Sequence, residues 1–175
     1  MEAYVNADIY APQEVFHDRA LIVDEGVIVG IVPEDQVPKN AGKIDLHGKN
    51  IAAGFVDLQV NGGGGVLFNT DWGRDAVIAA ALAHQRLGTT SIFPTVFTSS
   101  FDAMEGLLAT LSELRIAKSS GIAGIHFEGP IIEATKAGVH DINHVVQLDR
   151  KTLDFFIRGS GYYANTCHAR TREGK

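Results

Sequence analysis

Apolar positions come in short runs over the first fifty residues, then in longer strand-like and helix-spaced blocks. Ala20-Leu21-Ile22-Val23 and Val27-Ile28-Val29-Gly30-Ile31-Val32 flank Asp24-Glu25-Gly26. Two β-branched runs about a Glu-Gly turn predict a hairpin. Pro33, Pro38 and Gly42 then break the chain before Lys43-Ile44-Asp45-Leu46, expected as a short strand closed by His47-Gly48. No helical period of useful length occurs here, so residues 1–50 are expected to form a small β-sheet module.

The character changes at Asn50, and residues 51–175 are expected to form a second region of alternating strands and helices. Ile51 to Asn61 is an apolar strand ending in polar residues, followed at once by Gly62 to Gly65. Asp75 to Leu87 spaces Val77, Ile78, Ala81, Leu82 and Leu87 as a helix does, and Gly88 stops it. Thr90 to Phe97 is the next strand, interrupted by Pro94, which argues against a long regular one. Asp102 to Lys118 is the clearest amphipathic helix, with Met104, Leu107, Leu108, Leu111, Leu114 and Ile116 on or near one face and Ser100 or Asp102 as cap. Gly121 to Phe127 is a third buried-type strand running into Glu128-Gly129-Pro130. Strands alternating with helices predict an α/β fold with parallel strands joined by crossover helices.

Composition narrows the class. The chain has 175 residues, 45% of them hydrophobic, enough for one sizeable core. A formal net charge of -6 with interspersed signs lacks the basic stripe that nucleic acid requires. The single cysteine, Cys167, excludes an intramolecular disulfide and a cysteine zinc cluster, which suits a reducing compartment. Residues 1–8 carry no basic or apolar leader pattern, and no apolar run approaches a membrane span, so a soluble cytoplasmic protein without membrane partners is expected.

Functional groups in such folds gather at the C-terminal ends of strands. That rule selects Asp57, Gln59 and Asn61 from the first strand, Thr95 from the second and Glu128 from the third. Strand alternation puts Asp57, Gln59 and Asn61 on one face, where they are either a satisfied hydrogen-bond cluster or a working site. Glu128, at a rigid corner, can bind a divalent metal, act as a base or cap the next turn. Gly62 to Gly65 lacks the Lys-Ser/Thr of a P-loop and the spacing of a dinucleotide fingerprint, so it reads as pliant backbone beside a pocket. His17, His47 and His84 read as surface or structural, His144 as a loop residue, and Cys167-His168 as incidental.

Together these residues resemble a family. Gly54-Phe55-Val56-Asp57-Leu58-Gln59-Val60-Asn61-Gly62 is similar to the first barrel strand of N-acetylglucosamine-6-phosphate deacetylases, of the amidohydrolase type. Gly88 to Thr95 resembles their second strand, His126-Phe127-Glu128-Gly129-Pro130 their third-strand motif, and Lys136-Ala137-Gly138-Val139-His140 the substrate loop that follows. The wider superfamily carries His-x-His where this chain has Gln59-Val60-Asn61, and amides are poor transition-metal ligands beside imidazole. That is the pattern of the mononuclear deacetylases.

The resemblance implies the first strands and helices of a (β/α)8 barrel behind the small β-sheet module. It implies Glu128 as the protein carboxylate on one divalent metal, zinc or iron, with Gln59 and Asn61 shaping the pocket beside it. His140 and the backbone of Val139 would contact a phosphorylated amino sugar, and His126 is a candidate to support Glu128. The expected reaction is hydrolysis of the acetamide of N-acetylglucosamine 6-phosphate to glucosamine 6-phosphate and acetate, with a homodimer as the expected assembly. The family's other metal-binding histidines and its acid/base aspartate have no counterpart here, and the segment after Arg150 does not read as the expected apolar fourth strand. An isolated chain with one metal ligand is therefore expected to be nearly inactive. Two alternatives are another amidohydrolase, acting on a cyclic amide or related N-acetyl sugar, and a non-catalytic barrel fragment that self-associates.

Overall fold

The computed structural model describes residues 1–116, 121–159 and 164–167, and the chain divides into two compact units, Met1–Ala53 and Gly54–Lys175. In the first unit, β1 (Glu2–Tyr10) is central. Along one edge it pairs antiparallel with β2 (Val15–Phe16) and β3 (Arg19–Asp24); β3 continues to β4 (Val27–Pro33). The β3–β4 hairpin turns at Glu25 and Gly26, both at positive φ (48° and 79°), the primed geometry that matches strand twist. Ala3, Ala20 and Ile22 form its small core.

The strand β5 (Gly42–Ala52) runs parallel to β1 on its other edge. It is longer than the short strand expected to close at His47-Gly48. Those two residues take positive φ (54° and 75°) and form a bulge opposite Asn6, itself at φ 56°. Asn6 Nδ2 donates to Asp45 Oδ1 at 2.9 Å, and the Asn6 amide donates to Glu34 Oε1 at 2.7 Å, so the irregularity is satisfied locally. The chain then resumes pairing, and Asn50, Ile51 and Ala52 face Asp8, Ile9 and Tyr10 of β1.

The second unit opens with β6 (Phe55–Val60) and a tight hairpin, β7 (Gly62–Gly63) and β8 (Val66–Leu67). Then follow α1 (Arg74–Gln85), β9 (Thr89–Phe97), α2 (Phe101–Ile116), β10 (Ile125–Glu128), α3 (Arg150–Gly159) and β11 (Ala164–Cys167). The strands β6, β9, β10 and β11 form a parallel sheet in sequence order, with one α-helix in each crossover. This is the α/β order expected.

Local chemistry explains most boundaries. Ser100 Oγ accepts the Ala103 amide at 3.2 Å and caps α2, whose Met104, Leu107, Leu111 and Leu114 are buried. In α1 the buried face is Ala76, Val77, Ala80 and Ala81, whereas Leu82, and Leu87 just beyond the helix, are exposed. Small alanines let the β7–β8 hairpin lie directly on this helix. A Cβ on Gly62 would overlap the Val66 carbonyl, and Gly64 (φ 59°) approaches the Ala79 carbonyl. Gly62, Gly63 and Gly64 thus serve close packing, and Gly65, with open space around it, supplies only a positive φ of 88° at the turn. His84 clamps the hairpin by donating from Nε2 to the Gly62 carbonyl at 2.9 Å, a structural role as expected.

The segment after Arg150 corrects the sequence expectation. Asp149 Oδ1 accepts the Thr152 amide at 2.8 Å and caps α3. Phe155 of α3 is buried, its ring 5.2 Å from that of Phe101 and 5.8 Å from that of Phe127. Such aromatic pairs add about 0.5–1.5 kcal/mol each beyond area burial. The helix delivers a fourth strand after all. Its sequence, Ala-Asn-Thr-Cys, is too polar to betray a buried-type strand, and ladder pairing to β10 overrides that weak propensity. Residues 160–163 and 171–175, also expected to lack strand character, lie outside the described residues, as does His168. Among the described residues no helix is long and apolar enough to cross a membrane.

Candidate metal and substrate site at the strand ends

The C-terminal ends of β6 and β10 bring three of the expected residues together. Glu128 closes β10, and its Oε2 accepts from Gln59 Nε2 at 3.0 Å and from Asn61 Nδ2 at 3.5 Å. Gln59 is the penultimate residue of β6 and Asn61 follows it, so strand alternation puts both on Glu128's side. Asp57, expected on the same face, turns its Oδ1 to the Gln59 amide at 3.1 Å and stays out of the cluster. The two side-chain amides orient the carboxylate by donating to one oxygen.

The other oxygen faces His140, whose Nε2 lies 3.8 Å from Glu128 Oε1. His140 is only 10% exposed, Glu128 28%. The imidazole is held from behind by Thr98, whose backbone amide (3.1 Å) and Oγ1 (2.8 Å) both meet Nδ1. Phe97 packs edge-on against the same ring at 5.5 Å. Val139, one residue earlier in the loop, is 76% exposed.

His126 lies one layer below. It is buried and opposes Thr95 across the β9–β10 ladder, with Nδ1 3.2 Å from Thr95 Oγ1. Thr95 Oγ1 also accepts the Val60 amide at 3.0 Å and reaches the Phe93 carbonyl at 3.0 Å, so it knits β6, β9 and β10 together below the site. Pro94, which cannot donate to a ladder, sits where the β6–β9 register shifts.

Burial pushes the His126 imidazole below the ordinary histidine value, and the Glu128 carboxylate opposes this with a smaller upward pull. A neutral ring in the fold that takes up a proton on unfolding contributes stability present above the unfolded pKa, near 6.5. That stability is lost as pH falls from there towards the folded value. Urea unfolding of the chain is therefore expected to show a lower midpoint at pH 5.5 than at pH 7.5. The drop should be smaller in His126→Asn; an equal drop would assign it to other groups.

Sequence reasoning missed Thr98 and Asn69. Asn69 brackets the end of β9, its Oδ1 accepting the Phe97 amide at 2.9 Å and its Nδ2 donating to the Phe97 carbonyl at 3.4 Å. Thr98 directly follows β9, where the strand-end rule already pointed; Asn69, in a loop, left no such signal. Among the described residues no three His, Cys, Asp or Glu side chains gather to hold a metal ion.

Residues 1–51 match the family model described as the NagA composite domain, the class to which this opening sheet corresponds. Over most of its length the chain is similar to the N-terminal part of N-acetylglucosamine-6-phosphate deacetylases. It is 30% identical over 153 residues to the N-acetylglucosamine-6-phosphate deacetylase of Haemophilus influenzae, covering 87% of this chain and 40% of that protein. It is 33% identical over 141 residues to the N-acetylgalactosamine-6-phosphate deacetylase of a Shewanella species, covering 79% and 36%. The crystal structure of the N-acetylglucosamine-6-phosphate deacetylase from Pasteurella multocida superposes with a TM-score of 0.84 at 36% identity, over 92% of this chain and 42% of that one. The chain thus spans about 40% of the length of the relatives it matches.

Proposed function

We propose that this chain supplies the metal carboxylate and part of the sugar pocket of an N-acetylglucosamine-6-phosphate deacetylase. The observation that carries the reading is Glu128, held at a strand end by Gln59 and Asn61 with His140 alongside. In this reading β6, β9, β10 and β11 are the first strands of a (β/α)8 barrel, whose functional groups project from strand C-terminal ends.

The donor set fits one side of a mononuclear centre. Glu128 offers a hard carboxylate oxygen, suited to zinc or iron, and the adjacent amides hold it instead of competing for a cation. A catalytic zinc takes three protein ligands, and the resemblance puts the other two on later strands. When bound, a divalent metal polarises the acetamide carbonyl and lowers the pKa of its water.

The remaining steps belong to this chain's own groups. Gln59 and Asn61 fix the rotamer of Glu128, so the carboxylate needs no reorganisation on binding. His140 is placed to donate to a sugar oxygen, and Val139, exposed on the loop, to line the sugar. The relatives include a deacetylase of N-acetylglucosamine 6-phosphate and one of N-acetylgalactosamine 6-phosphate, so both N-acetylhexosamine 6-phosphates are natural test substrates.

The test is acetate release from N-acetylglucosamine 6-phosphate with zinc or iron and a chelator control. The isolated chain is expected to give none. Acetate should appear, sensitive to chelator, when the chain is joined to the part of the Haemophilus influenzae relative that it does not cover. Silence from a folded fusion that binds metal would sink the reading. Chelator-sensitive turnover by the isolated chain would overturn the ligand count.

A further inference from the structure

His140 sits 3.8 Å from the proposed metal carboxylate, a position from which an imidazole can serve as a ligand or as a hydrogen-bond donor. The two roles need opposite tautomers at Nε2: a ligand presents a lone pair, a donor presents a proton. The atoms behind the ring decide between them. We propose that Thr98 is a positioning residue that fixes the His140 tautomer, so that His140 meets the pocket as an Nε2–H donor and not as a metal ligand.

The argument rests on what a backbone amide can do. The Thr98 amide donates to His140 Nδ1 at 3.1 Å, and a peptide nitrogen has no lone pair with which to accept. Nδ1 must therefore keep its own lone pair. A neutral imidazole carries one N–H, which then belongs to Nε2. The Thr98 hydroxyl, 2.8 Å from the same nitrogen, adds a second donor directed at that lone pair.

The arrangement is built rather than incidental. Thr98 is buried, at 3% exposure, and its backbone directly follows β9, whose last residue is pinned on both sides by Asn69. Phe97 closes the ring edge at an interplanar angle of 63°. Gly129 leaves the space that the Thr98 hydroxyl occupies, since a Cβ there would overlap Oγ1. On the pocket side, 3.8 Å exceeds hydrogen-bond length, so the Nε2 proton is not committed to Glu128. Both groups face the same space with complementary capacities, Glu128 as acceptor and His140 as donor.

The ligand class follows, and here the inference rests on the deacetylase reading. An Nε2–H donor beside a metal carboxylate suits an oxygen acceptor, a hydroxyl or carbonyl of the N-acetylated sugar, at a point where a metal-binding histidine would instead demand a cation.

The full chain labelled with 15N decides it by NMR, with His140→Gln identifying the ring signals. The expected spectrum shows Nδ1 unprotonated, Nε2 protonated, and a scalar coupling across the hydrogen bond between the Thr98 amide nitrogen and Nδ1. A proton on Nδ1, or no coupling, would overturn the assignment. In the fusion with the relative's remaining part, which supplies the other ligands, binding zinc should leave the Nε2 proton in place; its loss on metal binding would make His140 a ligand and refute the proposal. All of this is read without sugar, so it stands apart from the deacetylase reading. Adding N-acetylglucosamine 6-phosphate to the same sample tests that reading, through a shift of the Nε2–H signal.

Discussion

Glu128→Gln is expected to remove metal and activity together from the fusion with the relative's remaining part. The carboxylate now accepts two amide protons on Oε2, from Gln59 and Asn61, and faces the His140 Nε2 position with Oε1. A glutamine in its place has one oxygen and one NH2. With its oxygen towards Gln59 and Asn61, its NH2 points at a donor on His140; reversed, it confronts the two amides. Either way a donor meets a donor, and the anionic ligand is gone. Changes to groups that merely orient metal ligands cost about 10–100-fold in metal affinity or activity. Loss of the ligand itself should therefore exceed about 100-fold. Elemental analysis of metal per chain and acetate release are the two readings. Glu128→Gln with full metal content and unchanged turnover would take Glu128 out of the site. Glu128→Asp keeps the charge but draws it back by one methylene, and should fall between.

The strand-end cluster was legible from sequence because it obeys two periodic rules. Strand alternation spaces Gln59 and Asn61 two apart, and the C-terminal-end rule picks out Glu128, so their convergence follows from the backbone pattern alone. Asp57 shows the limit of the first rule. A register shift between Asp57 and Val60 frees its carboxylate to bind the Gln59 amide instead. What alternation cannot supply is the layer behind the site. Thr98 acts through a backbone amide, which every residue but proline carries, and through a hydroxyl whose partner, His140, lies 42 residues away in sequence, so only its position at the strand end marked it. The continuation of β5 through His47-Gly48 was hidden for a related reason. Its bulge is stabilised by Asn6 and Glu34, 41 and 13 residues away in sequence from His47 and brought near only by pairing to β1. The strand β11 was illegible because its pairing to β10, and not its own polar sequence, makes it a strand.

Gly129→Ala is expected to be strongly destabilising. Gly129 has φ 109°, in the region that residues with a Cβ rarely adopt, and its missing Cβ is where Thr98 Oγ1 lies. Backbone strain of this kind costs about 1–3 kcal/mol. The overlap adds to it, because Thr98 can relieve the clash only by rotating its hydroxyl away from His140 Nδ1, surrendering a contact of 2.8 Å. The Thr98 Cβ, 3.3 Å from the added methyl, still crowds it after that rotation. The two contributions separate in a double-mutant cycle of Gly129→Ala, Thr98→Ala and the pair, followed by urea unfolding. Thr98→Ala deletes the hydroxyl that the methyl strikes. The pair should therefore cost less than the sum of the singles, by a coupling of about 0.5–3 kcal/mol, with the backbone strain as remainder. Strict additivity would mean that the hydroxyl and the missing Cβ do not compete for one space, and that the wall behind His140 is held by other contacts.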